Sequence, residues 1–157
     1  MPELAEVETL KSYLKKHILG EKIISYVQKR EDLRYPINKD IKKHAVSGKI
    51  SDVARTAKFL TLILDNSYSI IFHLGMSGRL TVQPQKYKFQ KHDHIIIGFQ
   101  SKRLLVFNDA RRFGMVYSCN SKDLAKQDFL KYMGQEPLDE EFDAEFLFKK
   151  LTSKNLL

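Results

Sequence analysis

The sequence predicts an α+β protein in which an antiparallel β-sandwich is flanked by an N-terminal helix and by C-terminal helices. Two observations support this fold class. Apolar residues near the N-terminus recur at three- and four-residue steps, which is the period of one helix face. From residue 22 onward the chain changes to short runs of β-branched and aromatic residues separated by turn residues, a pattern typical of strands.

The first helix is expected to begin just after Pro2 and to end near Gly20. Proline is compatible with a first helical turn, and glycine is a common residue just after a helix ends. The apolar face of this helix is predicted to consist of Leu4, Val7, Leu10, Leu14 and Ile18.

Seven strands are expected after this helix. Their sequences are KIISYVQKR, GKISDVART, KFLTLILD, SIIFHL, DHIIIGF, RLLVFND and FGMVYS. A short helix around Lys39–Val46 interrupts them. From Lys122 the chain is expected to be helical again, with a proline-containing loop at GQEPLDEEF and a last helix near Asp143–Leu151. No internal repeat is present.

Composition points to a single globular domain with a core of its own. The chain has 157 residues, of which 43% are hydrophobic and 29% charged. No apolar run approaches the roughly 20 residues that a membrane span needs. The acidic N-terminus does not resemble an export signal, and the single cysteine, Cys119, excludes an internal disulfide or a cysteine-based zinc site within this chain. We therefore expect a soluble, cytoplasmic protein.

The net charge of +8 is unevenly distributed. Counting Lys and Arg against Asp and Glu gives +4 for residues 1–50, +6 for residues 51–115 and −2 for residues 116–157. This basic excess indicates a polyanionic partner such as a nucleic acid. A lysine-rich surface that is simply solvated is the alternative.

The first residues could carry chemistry. If Met1 is removed, Pro2 becomes a secondary amine whose nitrogen can attack an electrophilic carbon and form an iminium ion. The reference pKa of an α-amine is near 8, so a useful fraction is neutral at pH 7. A neighbouring carboxylate, Glu3, could transfer protons, and Glu6 could orient the amine. The alternative is ordinary helix capping, and while Met1 is attached the Pro2 nitrogen is an unreactive amide.

Several motifs, taken together and in this order, resemble the bacterial formamidopyrimidine-DNA glycosylases. They are PELAEVET at the start, TAKFL (56–60), HLGMSGRL (73–80), KHDH (91–94) and NDARRFG (108–114). The later MGQEPLDEEF is similar to the segment that closes the N-terminal domain of that family. Ala5 departs from the pattern, because the family usually has a second proline at that position.

The resemblance implies four catalytic residues. Pro2 would be the nucleophile on the sugar C1′, and Glu3 would be the general acid and base. Glu6 would support Pro2 electrostatically. Lys58 would hold a phosphate beside the lesion.

The resemblance also implies five DNA-binding residues. His73 would make a second phosphate contact, and His92 would lie near the DNA-facing surface. Met76, Arg111 and Phe113 would fill the gap left when the damaged nucleotide flips out. Extruding a base costs a few kcal/mol, and apolar wedges in the vacated space offset that cost.

The implied function is base-excision repair of oxidised purines such as 8-oxoguanine and formamidopyrimidines in double-stranded DNA, followed by β/δ-elimination at the abasic site. Residues 1–135 would form the N-terminal catalytic domain, and 136–157 would begin an interdomain linker or helix. The family's helix–two-turn–helix and zinc-finger domain is absent from the sequence, so no cofactor is expected in this chain.

Activity is therefore expected to be impaired unless a separate chain supplies the missing half. A non-catalytic remnant that binds damaged DNA is one alternative. A metal-dependent nuclease built on His73, His92 and His94 is another, and it has the weakest support because no further carboxylate ligand is evident beyond Asp93.

Overall fold

The computed structural model describes residues 2–153, and the chain divides into two units whose boundary lies between Leu124 and Ala125. The first unit contains two α-helices and eight strands among its described residues. In chain order they are α1 (Leu4–Ile18), β1 (Ile23–Gln28), α2 (Ile41–Ala45), β2 (Ile50–Thr56), β3 (Phe59–Leu64), β4 (Tyr68–His73), β5 (Arg79–Pro84), β6 (Asp93–Phe99), β7 (Arg103–Asn108) and β8 (Met115–Asn120).

A 3-10 helix, Ser121–Lys126, spans the boundary between the two units. The described residues of the second unit then form turns and irregular chain up to α3, which covers Ala144–Ser153. The last predicted helix is thus present, whereas the helix predicted from Lys122 is only this short 3-10 turn. Gly134 and Pro137 lie in the irregular stretch, and both residue types disfavour a helix. Within residues 2–153 we find no helix long and apolar enough to cross a membrane.

The strands form two four-stranded antiparallel sheets, which confirms the predicted α+β class. The strand order is β1-β6-β7-β5 in the first sheet and β2-β3-β4-β8 in the second. Strand β5 was not among the predicted strands. Its letters, RLTVQP, begin with arginine, end with proline and contain only two large apolar residues, so the local strand signal is weak.

The core lies between the two sheets and beneath α1. The rings of Phe72 in β4 and Phe107 in β7 lie 5.6 Å apart across the two sheets, and both side chains are fully buried. Leu14 and Ile18 insert from α1 into the same cluster. The three- and four-residue apolar period of α1 therefore marks the face that it buries, as predicted.

Two connections pass from one sheet to the other at the same end of the fold. Residues 74–78 join β4 to β5, and residues 109–114 join β7 to β8. Strand β4 pairs with β8 and β5 pairs with β7, with His73 opposite Met115 and Arg79 opposite Asn108. The strand pairing therefore brings these two loops side by side.

We expect Leu62→Ala to lower the free energy of unfolding by about 2–5 kcal/mol, because Leu62 is fully buried in β3 and its truncation leaves a cavity. Ile24→Thr in β1 is the control, because Ile24 is about half exposed and threonine keeps the β-branch. Urea unfolding of both variants measures the difference. Equal losses would contradict the assignment of the core.

Candidate functional site

At the start of helix α1, the carboxylate of Glu6 is hydrogen-bonded to the backbone of the residue that precedes the helix. Glu3 is the residue that precedes the helix, and its N–H donates to Oε2 of Glu6 at 2.7 Å. Pro2 is half-buried, whereas the side chains of Glu3 and Glu6 are exposed. Glu6 therefore accepts a hydrogen bond from a backbone N–H at the start of the helix, as the capping alternative predicts. It also places a negative charge at the positive end of the helix.

A buried arginine ties α1 to the hairpin between β2 and β3. The Arg55 side chain is only 4% exposed; its Nε donates to Glu8 Oε2 at 2.5 Å and its Nη1 donates to the Ala57 carbonyl at 2.9 Å. Hydrogen bonds from Lys11 and Arg55 lower the pKa of Glu8. A buried charge needs such partners, so Arg55 sets the position of the hairpin turn relative to the start of α1.

That turn carries Lys58. Thr56 pairs with Phe59, so Ala57 and Lys58 form a two-residue turn, with Ala57 in the left-handed region at φ 50°. Lys58 Nζ lies 3.4 Å from Glu3 Oε2. The Lys58 side chain is about one third exposed and that of Glu3 is 70% exposed, so this ion pair is weak and both groups face solvent.

A groove of about 540 Å³ lies beside the start of α1. Pro2, Glu6 and Leu10 line one side of it, and the loop between β4 and β5 lines the other. The lining residues from that loop and from β5 are Leu74, Met76, Ser77, Gly78, Arg79, Leu80 and Thr81. The groove therefore brings together Pro2, Glu6 and Met76, which are far apart in the sequence.

The two inter-sheet loops touch at Gly75. This residue has φ +61°, and a Cβ placed on it would lie 2.4–2.6 Å from the backbone of Phe113 and Gly114. Only glycine permits this approach without a shift of the backbone. The loop that carries Met76 is thus packed directly against the loop that carries Arg111 and Phe113.

A buried carboxylate joins the same two loops. Asp109 is fully buried; its Oδ1 accepts from the Ser77 hydroxyl at 2.6 Å and its Oδ2 accepts from the Gly114 N–H at 2.7 Å. The Ser77 hydroxyl oxygen also accepts from the Arg111 N–H at 3.1 Å. His94 Nε2 lies 2.8 Å from the Asp109 carbonyl. The network fixes both loops through their backbones.

The side chains these loops present are large and exposed. Met76 is 43% exposed and Phe113 is 44% exposed. The guanidinium of Arg111 lies 5.2 Å from the centre of the Phe113 ring, in a cation–π contact. Both apolar side chains therefore protrude from loops whose backbones are held by Asp109 and by the contact at Gly75.

His73 lies at the end of β4, between the turn of Lys58 and the anchored loops. Its Nδ1 accepts from the Gly75 N–H at 3.1 Å, and its ring packs on Phe59 with centroids 4.8 Å apart. Burial, reinforced by the positive charges of Arg34 and Lys58, lowers the pKa of His73. The neutral ring therefore carries its hydrogen on Nε2, which leaves that atom as a donor.

His92 lies in a different hollow from Pro2. It lines a space of about 380 Å³ with several cationic side chains, and its ring lies 6.4 Å from that of His94. No group of three or more His, Cys, Asp or Glu residues within residues 2–153 is arranged to hold a metal ion. That part of the chain therefore offers no set of ligands for the metal-dependent alternative.

The structure therefore brings most of the predicted residues to one end of the fold. Pro2, Glu3, Glu6, Lys58 and Met76 meet around the groove and the Lys58 turn. His73, Arg111 and Phe113 adjoin them through the anchored loops, and His92 lines the separate hollow.

Three residues that arrange this end of the fold were missed from the sequence: Arg55, Ser77 and Asp109. Asp109 and Ser77 lie inside the quoted motifs NDARRFG and HLGMSGRL, and Arg55 is the residue before TAKFL. Their position inside or beside the family motifs was the signal that could have identified them. Their partners depend on strand pairing, which no local pattern reveals.

The sequence of this chain was compared with those of known protein families and proteins. A family model described as the formamidopyrimidine-DNA glycosylase N-terminal domain matches residues 1–116. The chain belongs to this family. A formamidopyrimidine-DNA glycosylase of Rickettsia bellii is 42% identical over 156 residues, and one of Rickettsia conorii is 45% identical over 156 residues. The match covers 99% of this chain, and the chain spans about 57% of the length of these relatives.

Solved structures of the family agree with the fold. A Lactococcus lactis formamidopyrimidine-DNA glycosylase bound non-covalently to DNA containing an AP site matches with a TM-score of 0.85 at 29% identity, over 97% of this chain and 58% of that one. The Lactococcus lactis enzyme in complex with DNA containing N7-benzyl-Fapy-dG matches with a TM-score of 0.85 at 30% identity, over 98% of this chain and 56% of that one.

We expect Gly75→Ala to be costlier than Gly20→Ala. Both positions have positive φ, which costs a residue with a Cβ about 1–2 kcal/mol, but only the Cβ at Gly75 meets backbone atoms. The added clash should destabilise by about 1–3 kcal/mol more. Urea unfolding measures both variants, and equal losses would show that the contact between the two loops is not tight.

Acid should destabilise the protein partly through His73. Because its pKa is lowered in the folded state, the unfolded chain takes up a proton first as the pH falls below about 6.5, and the free energy of unfolding then decreases. His73→Gln removes this contribution. Urea midpoints at pH 7.5 and 5.5 should therefore differ less for the variant than for the unaltered protein. An identical acid loss in both proteins would contradict the predicted role of His73.

Proposed function

We propose that this chain is the catalytic part of a bifunctional DNA glycosylase and AP lyase that acts on oxidised purines in double-stranded DNA. The observation that carries the proposal is the groove shared by Pro2, Glu6 and Met76, with Glu3 and Lys58 beside it. A nucleophile, two carboxylates, a cation and a large exposed apolar side chain meet there, and family membership supports the choice of substrate.

Pro2 would supply the nucleophile once Met1 has been removed. Its nitrogen lone pair forms a bond to the sugar C1′ while the bond from C1′ to the base breaks, and the base leaves with that electron pair and takes a proton from solvent. The Glu3 carboxylate then removes the proton from the positively charged nitrogen and passes it to O4′ as the C1′–O4′ bond opens, which leaves the nitrogen as an iminium ion. Glu3 is the proposed proton donor, because its exposed carboxyl is adjacent to Pro2 in the chain.

The other charges have distinct proposed parts. Glu6 is held at the start of α1 by the Glu3 N–H, where its negative charge would stabilise the positively charged iminium. Lys58 and the Nε2 hydrogen of His73 would bind phosphates beside the lesion, one as a cation and one as a neutral donor. Arg55 would fix the distance between Lys58 and the start of α1.

Met76, Arg111 and Phe113 would occupy the space of the flipped nucleotide. All three are exposed, and their loops are held by Asp109 and by the close contact at Gly75. An apolar wedge must protrude from a rigid support if it is to separate stacked bases. The anchored loops meet that requirement.

The activity proposed for the whole enzyme rests on more than this chain. The curated relatives are longer, and the chain spans about 57% of their length. We therefore propose that the 157 residues alone act weakly on intact lesions. Cleavage at a preformed abasic site should be better retained, because that step needs mainly the amine and a carboxylate. Supplying the remaining C-terminal half on a separate chain should raise the glycosylase activity.

A DNA-binding protein without catalysis is the second candidate. The residue before Pro2 is Met1, and while it is attached the Pro2 nitrogen is an amide. The basic surface and the exposed Met76 and Phe113 would still bind DNA. Such binding would weaken with salt and would not respond to substitution of Glu3.

Borohydride trapping tests the catalytic proposal. Protein shown by intact mass to lack Met1 should form a covalent adduct with a duplex containing an abasic site when borohydride is present, because borohydride reduces the iminium. Glu3→Gln should slow trapping by about a hundredfold or more, since general acid–base catalysis contributes 10²–10⁴-fold. Gel electrophoresis and mass spectrometry would locate the adduct at Pro2.

Glu140→Gln is the matched control, because it removes the same charge from an exposed residue in the second unit and should leave trapping unchanged. Absence of an adduct from protein that lacks Met1 would reject the lyase and leave the binding candidate. An adduct that forms equally well in Glu3→Gln would reject the role of Glu3.

A further inference from the structure

Strand β1 lies at the edge of the first sheet, and its second half is uncovered. It pairs with β6 on one side only. At its start the other side is closed, because the Ile23 N–H donates to the Gly48 carbonyl at 2.8 Å and the Ser47 N–H donates to the Ile23 carbonyl at 2.8 Å. Within residues 2–153 no such cover continues along the rest of β1.

The register of β1 on β6 shows which backbone groups are left free. The Lys29 N–H donates to the His94 carbonyl at 2.9 Å, so these two residues form a hydrogen-bonded pair. Bonded and non-bonded pairs alternate along an antiparallel ladder, and Tyr26 and Gln28 therefore occupy non-bonded positions opposite β6. Their N–H and C=O groups point away from the sheet, and in the described chain no other segment binds them.

A hollow of about 470 Å³ lies along this free edge. Its lining residues are Tyr26, Val27, Gln28, Glu31, Ile37, Lys39 and Lys42. Val27 is 47% exposed, whereas Ile37 is buried. Strand addition needs unpaired main-chain donors and acceptors beside space for the alternate side chains of the added segment. Both are present along the second half of β1.

The charge of the hollow favours an acidic partner. Lys39 and Lys42 are exposed, and their side chains form no ion pair within residues 2–153, while Glu31 is the one acidic residue among the described lining residues. A second copy of this chain, paired through its own β1, would bring the same lysines towards one another, and the net charge of +8 on each copy opposes that pairing. Charge complementarity therefore selects an acidic segment over a second copy.

We propose that the free edge of β1 binds an extended, acidic segment of another protein by strand addition. The segment would form hydrogen bonds with the backbone of Tyr26 and Gln28, and its carboxylates would lie near Lys39 and Lys42. A phosphate backbone could meet the lysines, but it has no donors for the two outward carbonyl groups.

This surface does not depend on the proposed catalytic function. Strand β1 and strand β5 are at opposite edges of the first sheet, and β5 is the strand that contributes to the groove beside Pro2. A partner bound along β1 would thus occupy a different edge from the one that lines the groove.

Gln28→Pro and Gln28→Ala form a matched pair of variants. Proline removes the outward N–H, which β6 does not use, and proline is tolerated at such positions of an edge strand. Alanine removes the same side chain and keeps that N–H. The probe is a fluorescent peptide that alternates valine and glutamate, measured by fluorescence anisotropy. Gln28→Pro should bind it roughly two- to tenfold more weakly than Gln28→Ala, the usual effect of one backbone hydrogen bond.

A second set of variants tests the charges without altering the backbone of β1. Replacing Lys39 and Lys42 together by glutamine should weaken peptide binding by roughly two- to tenfold, the range expected for two exposed ion pairs. Lys43→Gln is the control, because Lys43 is an exposed lysine of α2 that does not line the hollow. Lysines also protect bare strand edges against unwanted pairing. If that were their only role, the double variant would bind the peptide more tightly, which would overturn the proposal.

Urea unfolding of each variant shows whether it is folded. Equal peptide affinity of folded Gln28→Pro and Gln28→Ala would overturn strand addition, as would a lack of binding by the unaltered protein. Displacement of the peptide by duplex DNA would show a surface for polyanions instead. A dimer of the unaltered protein that Gln28→Pro dissociates would show that a second copy occupies the edge. Borohydride trapping at Pro2 succeeds or fails independently of all these results.

Discussion

The candidate site depends first on the buried carboxylate of Asp109. One oxygen binds Ser77 and the other binds the Gly114 backbone, so a single side chain joins the two loops that cross between the sheets. A buried charge is stable only when it is fully hydrogen-bonded, and here every bond it makes constrains a loop. The exposure of Met76 and Phe113 follows from that constraint, because loops held at their backbones cannot fold these side chains inward.

A second buried charge has the corresponding effect on the other side of the groove. Arg55 binds Glu8 of α1 and the Ala57 carbonyl of the turn that carries Lys58. The proposed nucleophile and the proposed phosphate-binding lysine therefore depend on a common anchor. The groups that would meet DNA are themselves weakly paired, as the exposed contact between Glu3 and Lys58 shows. Strong ion pairs are used for structure, and weak ones are left available for a ligand.

The sequence was informative where the signal is local. The apolar period of α1 predicted its extent, and alternation and turn residues predicted seven of the eight strands. Strand β5 was missed because its apolar content is low, and the stretch after Lys122 is mostly irregular because glycine and proline interrupt it. The roles of Asp109 and Arg55 could not be predicted, because their partners are brought near only by the pairing of β4 with β8 and by the packing of α1. The motifs identified the family without revealing these anchors.

The close contact at Gly75 has a consequence for the thermodynamics of any ligand that binds here. The loop bearing Met76 has lost its conformational freedom during folding, since its backbone rests on Phe113 and Gly114. A ligand that binds here, such as the DNA proposed above, would not have to order that segment, and a correspondingly smaller entropic penalty would oppose association. The contacts that form when the chain folds thus order this loop before any ligand arrives.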